Sequence, residues 1–338
     1  MKYNGKIIVL AFPDTFVKMS DELMCKLLPL VGLGTRTHIK AGHAALVLIE
    51  NATGNSFYYD FGRYITPEGM GRVRGAKTDA ELEIPFKAIV TNDTLENLDE
   101  FLVWLDAHPE KTHGSGRLVA SLNEHVNYEK AHEYIMSLQN QGSVPYKAFG
   151  NLGSNCARFV TETILSSTEE KHIIKALKHN KKFTPSTVGN VEKSASNRVY
   201  QIYNGVISEY NSTALKENLT NYFDKKVPAS YFQDGKDDVA LPEGAQLLTG
   251  IGSSAWFLLE KETKNQVLIT RFTEKGIPDF KGVAQIPDGF DIAKDYAFVY
   301  DSNCAFCTLE QEGKSYRFDL TKREIGIVPN SKQKEHLV

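Results

Sequence analysis

The chain has no apolar run approaching the ~18–20 residues that a membrane-spanning helix needs. Its N-terminal apolar stretch, residues 7–12, falls short of the ~7–15 residues of a secretory h-region. Pro13-Asp14-Thr15 follows in place of a small-residue cleavage site. No leader peptide is expected, and a cytoplasmic location is implied. Cysteine is scarce: Cys25, Cys156, Cys304 and Cys307 are the four in 338 residues, too few for a disulfide scaffold. Free thiols in a reducing compartment are the expectation, with a Cys304–Cys307 bridge left open. Charge of one sign is lacking too. The 39 basic and 42 acidic residues leave a net charge of −3, with no global pull toward nucleic acid or an anionic membrane. Local basic patches remain open. No internal repeat or low-complexity segment occurs, and the composition rules out a disordered chain, a collagen-like chain and a simple coiled coil.

What is present is an ordinary globular composition, with 41% hydrophobic and 24% charged residues. At about 150 residues per domain, the length suggests two domains. Residues 6–12 read as a buried strand, and residues 20–31 as a short amphipathic helix capped by Ser20. Residues 42–49 form a near-continuous apolar run and residues 56–64 an aromatic strand, with a turn-like Asn51-Ala52-Thr53-Gly54-Asn55 between them. Together they predict a hairpin. Residues 69–75 read as a Gly- and Arg-containing loop, and residues 82–90 as another strand. Helices are expected over 94–107, 128–140 and 156–165, and helical character over 169–182 and 213–223. Residues 198–210 have strand character. Past a polar, turn-like stretch at 234–238 the pattern becomes short strands between Gly, Pro, Asn and Asp turns, as in a small all-β unit. The implied domains are 1–233 and 239–330.

The sharpest chemical signal is Gly153-Ser154-Asn155-Cys156-Ala157-Arg158-Phe159-Val160. A cysteine directly after an N-cap sits where unpaired N–H groups converge at the positive end of the helix dipole. Both favour the reactive thiolate, and the same N–H groups suit a developing oxyanion. The alternative is a buried structural cysteine. His43, at the start of the strand 42–49, is the candidate base. His38, in the polar stretch before it, is a weaker one. A packed core histidine is the competing reading for His43. Thiol catalysis needs a third group to orient the imidazole. With the hairpin turn centred between Ala52 and Thr53, Ala45 falls opposite Asp60, which places Asp60 diagonal to His43 on one face. A register slip of one residue moves it to the other face. The alternative for Asp60 is a salt bridge to Arg63 or another arginine. If Asp60 orients His43, Asp60→Asn weakens thiolate formation and spares the fold.

Gly142-Ser143-Val144-Pro145-Tyr146, followed ten residues later by the Cys156 segment, resembles the nucleophile region of NlpC-type papain-like cysteine hydrolases. In that family the cysteine usually comes first and the histidine follows on a strand. Here His43 precedes Cys156, as in the circularly permuted branch, which includes lipid- or peptide-directed hydrolases and the lecithin–retinol acyltransferase group. The chain is also similar to uncharacterised Bacteroidetes-type proteins carrying this permuted core. The resemblance covers roughly residues 38–165. It implies Cys156 as nucleophile, His43 as base, Asp60 in the polar third place and a Tyr146 hydroxyl near the oxyanion. Asn155 stands where the family usually has Asp, and Ala157-Arg158 replaces Ser-Gly.

Arg63, Arg72 and Arg74 suit a carboxylate or phosphate clamp on the substrate, against ordinary ion pairs in a solvated loop. His113-Gly114-Ser115-Gly116 fits no phosphate-loop spacing and carries no assignment. Cys304-Ala305-Phe306-Cys307 is a lone C-x-x-C without a second ligand pair, so no metal and no cofactor is expected. The reading that results is an α+β fold: an antiparallel sheet with packed helices, in a permuted papain-like core, followed by a C-terminal all-β domain. The expected function is thiol-dependent hydrolysis of an amide or ester, acting on a peptide, amide or lipid-like acyl substrate. A non-catalytic binding protein retaining the fold, or an acyltransferase, are the alternatives.

Overall fold

The computed structural model describes residues 3–150, 152–182, 184–232 and 241–323. Eight strands form its main sheet: β1 (Gly5–Phe12), β2 (His43–Glu50), β3 (Ser56–Gly62), β4 (Met70–Gly75), β5 (Leu118–Val126), β6 (Val144–Pro145), β7 (Val199–Tyr203) and β8 (Val206–Glu209). Their order is β6-β4-β3-β2-β1-β5-β7-β8, with every pairing antiparallel. β1 and β2 lie at the centre and are buried on both faces. That explains why their sequences are apolar at nearly every position rather than at alternate ones.

The sheet separates two cores. On one face Ile7, Val9, Leu46 and Leu48 meet Phe159, Val160 and Ile164. On the other Ile8, Leu10, Val47 and Ile49 meet Phe101, Leu102 and Leu105. The helix α1 (Leu98–Ala107) covers the second face. The first is covered by α2 (Tyr128–Gln139), α3 (Cys156–Ser167), α4 (Lys171–Asn180) and α5 (Thr187–Ser194). Each fully buried Leu, Ile or Phe contributes about 1.5–3 kcal/mol. Phe159 is fully buried between α3 and β3, stacking near Phe61. Truncating it to Ala is the single change that would most loosen the seat of α3, at about 3–5 kcal/mol.

The C-terminal residues form a five-stranded and a three-stranded antiparallel sheet around their own core, which includes Phe257, Ile269, Leu309 and Phe318. The fold is therefore α+β with a C-terminal all-β unit. The stretch 234–238 lies outside the described residues. The two units are joined by more than a linker. Arg271 is buried against Asp79, Glu81 and Asp279, with Oδ1 of Asp79 at 3.4 Å and Oδ2 of Asp279 at 2.8 Å. Ser253 forms a parallel bridge with Tyr64, and the Cys304 amide donates to the Thr78 carbonyl at 2.9 Å.

Several elements differ from expectation. Residues 69–75 are the strand β4, not a loop. The region 20–31 is a short helix, Leu23–Leu27, continued as a 3-10 turn, Leu28–Val31, whose second residue is Pro29. Proline there suits the start of a new turn and not a helix interior. Residues 82–90 are irregular, with only Val90–Thr91 extended, and α1 begins at Leu98 rather than 94.

Candidate active site

The site forms where the start of β2, the end of β3 and the start of α3 meet. His43 opens β2, preceded by Gly42 at φ +76°, where a Cβ would lie 2.8 Å from the Thr187 hydroxyl. Ala45 pairs with Asp60, the register that a turn between Ala52 and Thr53 sets. Asp60 therefore shares the His43 face, and its Oδ2 lies 3.2 Å from His43 Nε2. The Cys156 thiol lies near enough to the His43 ring to act on its charge, and both border one cleft. His38, by contrast, has its Nδ1 3.0 Å from the Thr37 hydroxyl.

Cys156 is the first residue of α3. Asn155 caps the helix: its Oδ1 accepts from the Arg158 amide at 2.9 Å, while its side-chain amide donates to the Lys147 carbonyl at 2.8 Å. Gly153, at φ +94°, passes so near the Pro145 carbonyl that a Cβ would lie 2.2 Å from it. The loop between β6 and α3 is thus tied at both ends. Cys156 retains slight exposure, 7%.

Asp60 is fully buried and accepts from three side chains. Arg74 donates from Nε to Oδ1 at 3.0 Å and from Nη2 to Oδ2 at 2.6 Å, and the Tyr58 hydroxyl donates to Oδ2 at 3.1 Å. The third is His43. Burial alone would raise the Asp60 pKa, but the Arg74 charge and the bonds from His43 and Arg74 hold it well below the usual carboxylate range. His43 responds in kind. Burial opposes its charge, but the hydrogen bond to Asp60 and the neighbouring Cys156 and Asp60 groups raise it to about 9. A value that high favours the protonated imidazole at neutral pH.

Aromatic rings fix the histidine. Phe12 stacks on it at 6.4 Å between centroids, and Tyr64 meets it edge-on at 6.5 Å. The Tyr64 ring also carries the Arg74 guanidinium at 3.8 Å and the His113 ring at 5.0 Å. Burial, then the Arg74 charge, pushes His113 down to about 3, so it is neutral. Two glycines allow this packing: a Cβ on Gly62 would lie 2.2 Å from the Tyr64 ring, and one on Gly114 2.2 Å from Phe12. Tyr146 stacks on Phe61 at 6.1 Å and carries Arg63 at 4.6 Å. Burial and the neighbouring Cys156 charge push its hydroxyl well above the usual phenol value, so it stays a hydrogen-bond donor.

Two cavities open at the thiol. A polar cleft of about 890 Å³ is lined by His43, Cys156, Tyr146, Arg63, Tyr64 and His113 on one side. Thr249, Gly250, Ile251, Gly252 and Tyr300 of the C-terminal unit line it on the other. A separate apolar pocket of about 230 Å³ also reaches Cys156 and Tyr146, and shares Val17 and Lys18 with the cleft.

Cys156, His43, Asp60 and Tyr146 are thus gathered at one place, and Arg63 lines the cleft. Arg72 and Arg74 do not. Arg72 grips Asp79 through both Nη atoms, at 2.6 and 2.7 Å, and donates from Nε to the Tyr64 carbonyl at 2.8 Å. Arg74 holds Asp60. Both are buried, at 3% and 1% exposure, so the substrate clamp expected of them is corrected to internal ion pairs. The reason is β4: strand alternation turns Arg72 and Arg74 inward on one face. Sequence reasoning missed Tyr58, Tyr64 and His113 and the wall from the C-terminal unit. Only His113, in a Gly-rich stretch of otherwise unexplained purpose, carried a signal. Cys25, Cys304 and Cys307 are free and buried, and burial pushes the Cys307 thiol up to about 12. Among the described residues, no group of three or more His, Cys, Asp or Glu is arranged to hold a metal. No described helix is long and apolar enough to cross a membrane.

A family described as "Type VI secretion system effector TseH-like" matches residues 7–173, just under half of the chain and a span that contains all four gathered residues. A second, described as "DUF6695 C-terminal domain", matches residues 245–321. The crystal structure of the type VI secretion system effector TseH is similar at 16% identity and a TM-score of 0.41, covering 60% of this chain and 96% of that one. No curated protein matches.

Proposed function

We propose that the chain is a thiol-dependent acyl hydrolase that cleaves an amide or ester through an acyl-enzyme on Cys156. The observation that carries this is the His43 ring, hydrogen-bonded to Asp60 and sharing the edge of an open cleft with the Cys156 thiol. A structural cysteine would be capped by packing. This one borders two cavities.

The geometry supports the following roles. Asp60, itself held by Arg74 and Tyr58, fixes the imidazole and stabilises its charge. Cys156 Sγ attacks the carbonyl carbon. The oxyanion that develops meets the free N–H groups at the start of α3 and the Tyr146 hydroxyl. The imidazolium then gives its proton to the leaving oxygen or nitrogen as that bond breaks. A water attacks the thioester with His43 as base, releasing a carboxylic acid and the thiol. The chain order, with the histidine strand before the cysteine helix, supports a permuted papain-like arrangement. The match to TseH-like effectors supports residues 7–173 as the catalytic part of an effector-like protein.

The test is hydrolysis of p-nitrophenyl acetate, with mass analysis of Cys156. A Cys156-linked acetyl group and a loss of about 10²–10⁴-fold in rate in Cys156→Ala and His43→Ala are expected. Equal rates in wild type and Cys156→Ala would refute the assignment.

A further inference from the structure

Cys156 and Tyr146 line both cavities, whereas His43 lines the polar cleft and takes no part in the apolar pocket. If the acyl-hydrolase reading holds, this asymmetry fixes which half of a substrate goes where. The Sγ–C bond forms, and the C–O or C–N bond to the leaving group breaks. The leaving group takes its proton from His43, so it must lie on the His43 side, in the polar cleft. The acyl part, now a thioester on Sγ, extends into the apolar pocket, which His43 does not line. Water reaching the thioester from the cleft gives its proton to His43 and releases the carboxylic acid.

We infer that Cys156 acts on an amphiphile, an ester or amide whose aliphatic acyl chain fills the apolar pocket while its polar leaving group occupies the cleft. Val17, Leu28, Leu33 and Ile39 wall that pocket. Of its polar lining, Ser20 is engaged with Glu22 at 2.8 Å and Asn155 with the α3 cap, and Lys18, Thr184, Thr187 and Tyr222 complete it. An apolar cavity of about 150 Å³ takes a benzene molecule, so this larger one takes an alkyl chain of several carbons. The same short segment that puts Leu28 and Leu33 in the wall leaves Leu23, Leu27, Leu30 and Val31 exposed to solvent. An exposed apolar patch of that kind beside a pocket marks a surface for apolar ligands.

The test compares kcat/KM for p-nitrophenyl acetate, butyrate, hexanoate and octanoate with the full chain. Each methylene buried is worth about fourfold, so at least a tenfold rise from acetate to hexanoate is expected. Leu33→Trp, which narrows the pocket, is expected to reduce the hexanoate-to-acetate ratio severalfold, and Leu28→Phe is an independent narrowing variant should the first misfold. A flat or falling profile with Cys156-dependent acetate hydrolysis intact overturns the acyl pocket and leaves the thiol reading standing. If no ester is hydrolysed, the thiol reading fails. Octanoate binding by calorimetry then decides the pocket, with binding that Leu33→Trp weakens supporting it and no binding overturning it.

Discussion

At the scale of single residues, the site depends on a carboxylate serving two cations. Asp60 is buried between His43 and Arg74. Asp60→Asn therefore does more than loosen the imidazole. It leaves the Arg74 guanidinium buried without its counter-charge, a change worth about 3–5 kcal/mol. A urea titration should show that loss, against the sequence-based expectation that the fold is spared. The pH dependence runs the other way for His43. Its pKa is raised from 6.5 to about 9, so its contribution to stability is complete below about 6.5 and disappears as pH rises through about 9. Melting temperature is expected to fall over that window in wild type and to lose that component in His43→Gln. The Asp60 position was legible in the sequence because a short turn and a two-residue period fix which side chains share a face. The Arg74 role was not. Its strand contains Gly71 and Gly75, which resemble loop punctuation. They are there because a Cβ would meet the Phe61 ring at 2.9 Å or the Tyr59 ring at 2.5 Å.

At the scale of elements, the start of α3 presents the proposed nucleophile and its cap holds it. Asn155→Ala removes the bond to the Arg158 amide and the one to Lys147, at a cost of about 1 kcal/mol for the cap. Slower alkylation of Cys156 by iodoacetamide, with little change in far-ultraviolet circular dichroism, is the expected result. This element was legible: a polar cap, a helix start and an apolar face recur at helical spacing from Cys156 onward. The segment before the site was less so. Leu23 to Val31 has the composition of one helix, but Pro29 divides it and turns Leu28 toward the pocket. Proline's local constraint overrode the periodicity.

At the scale of the whole molecule, the C-terminal unit belongs to the cleft. Thr249 to Gly252 lie against the chain just past β3, where the Gly252 amide donates to the Arg63 carbonyl at 2.8 Å. A Cβ on Gly250 would lie 2.4 Å from the Ile65 nitrogen, so only glycine lets this loop approach. We propose residues 1–233 and 239–330 as two domains. Limited proteolysis near 234–238 is expected to give two fragments that co-elute on size exclusion, held by the Arg271 ion cluster and the Ser253 bridge. Arg271→Ala, which leaves Glu81 and Asp279 without their shared cation while Asp79 keeps Arg72, should separate them. Strand patterning showed that a β unit follows the N-terminal α+β core. It carried nothing about where that unit docks, because Asp79 and Arg271 are 192 residues apart in sequence.

The central claim is that Cys156 is a nucleophile held in a pair with His43, and alkylation by iodoacetamide at pH 6–7, mapped by peptide mass, tests it most directly. Cys156 is expected to label well ahead of Cys25, Cys304 and Cys307, to lose that lead in His43→Ala and to keep it in His38→Ala. Labelling of Cys25 or Cys304 first, or a Cys156 rate indifferent to His43→Ala, would contradict the account.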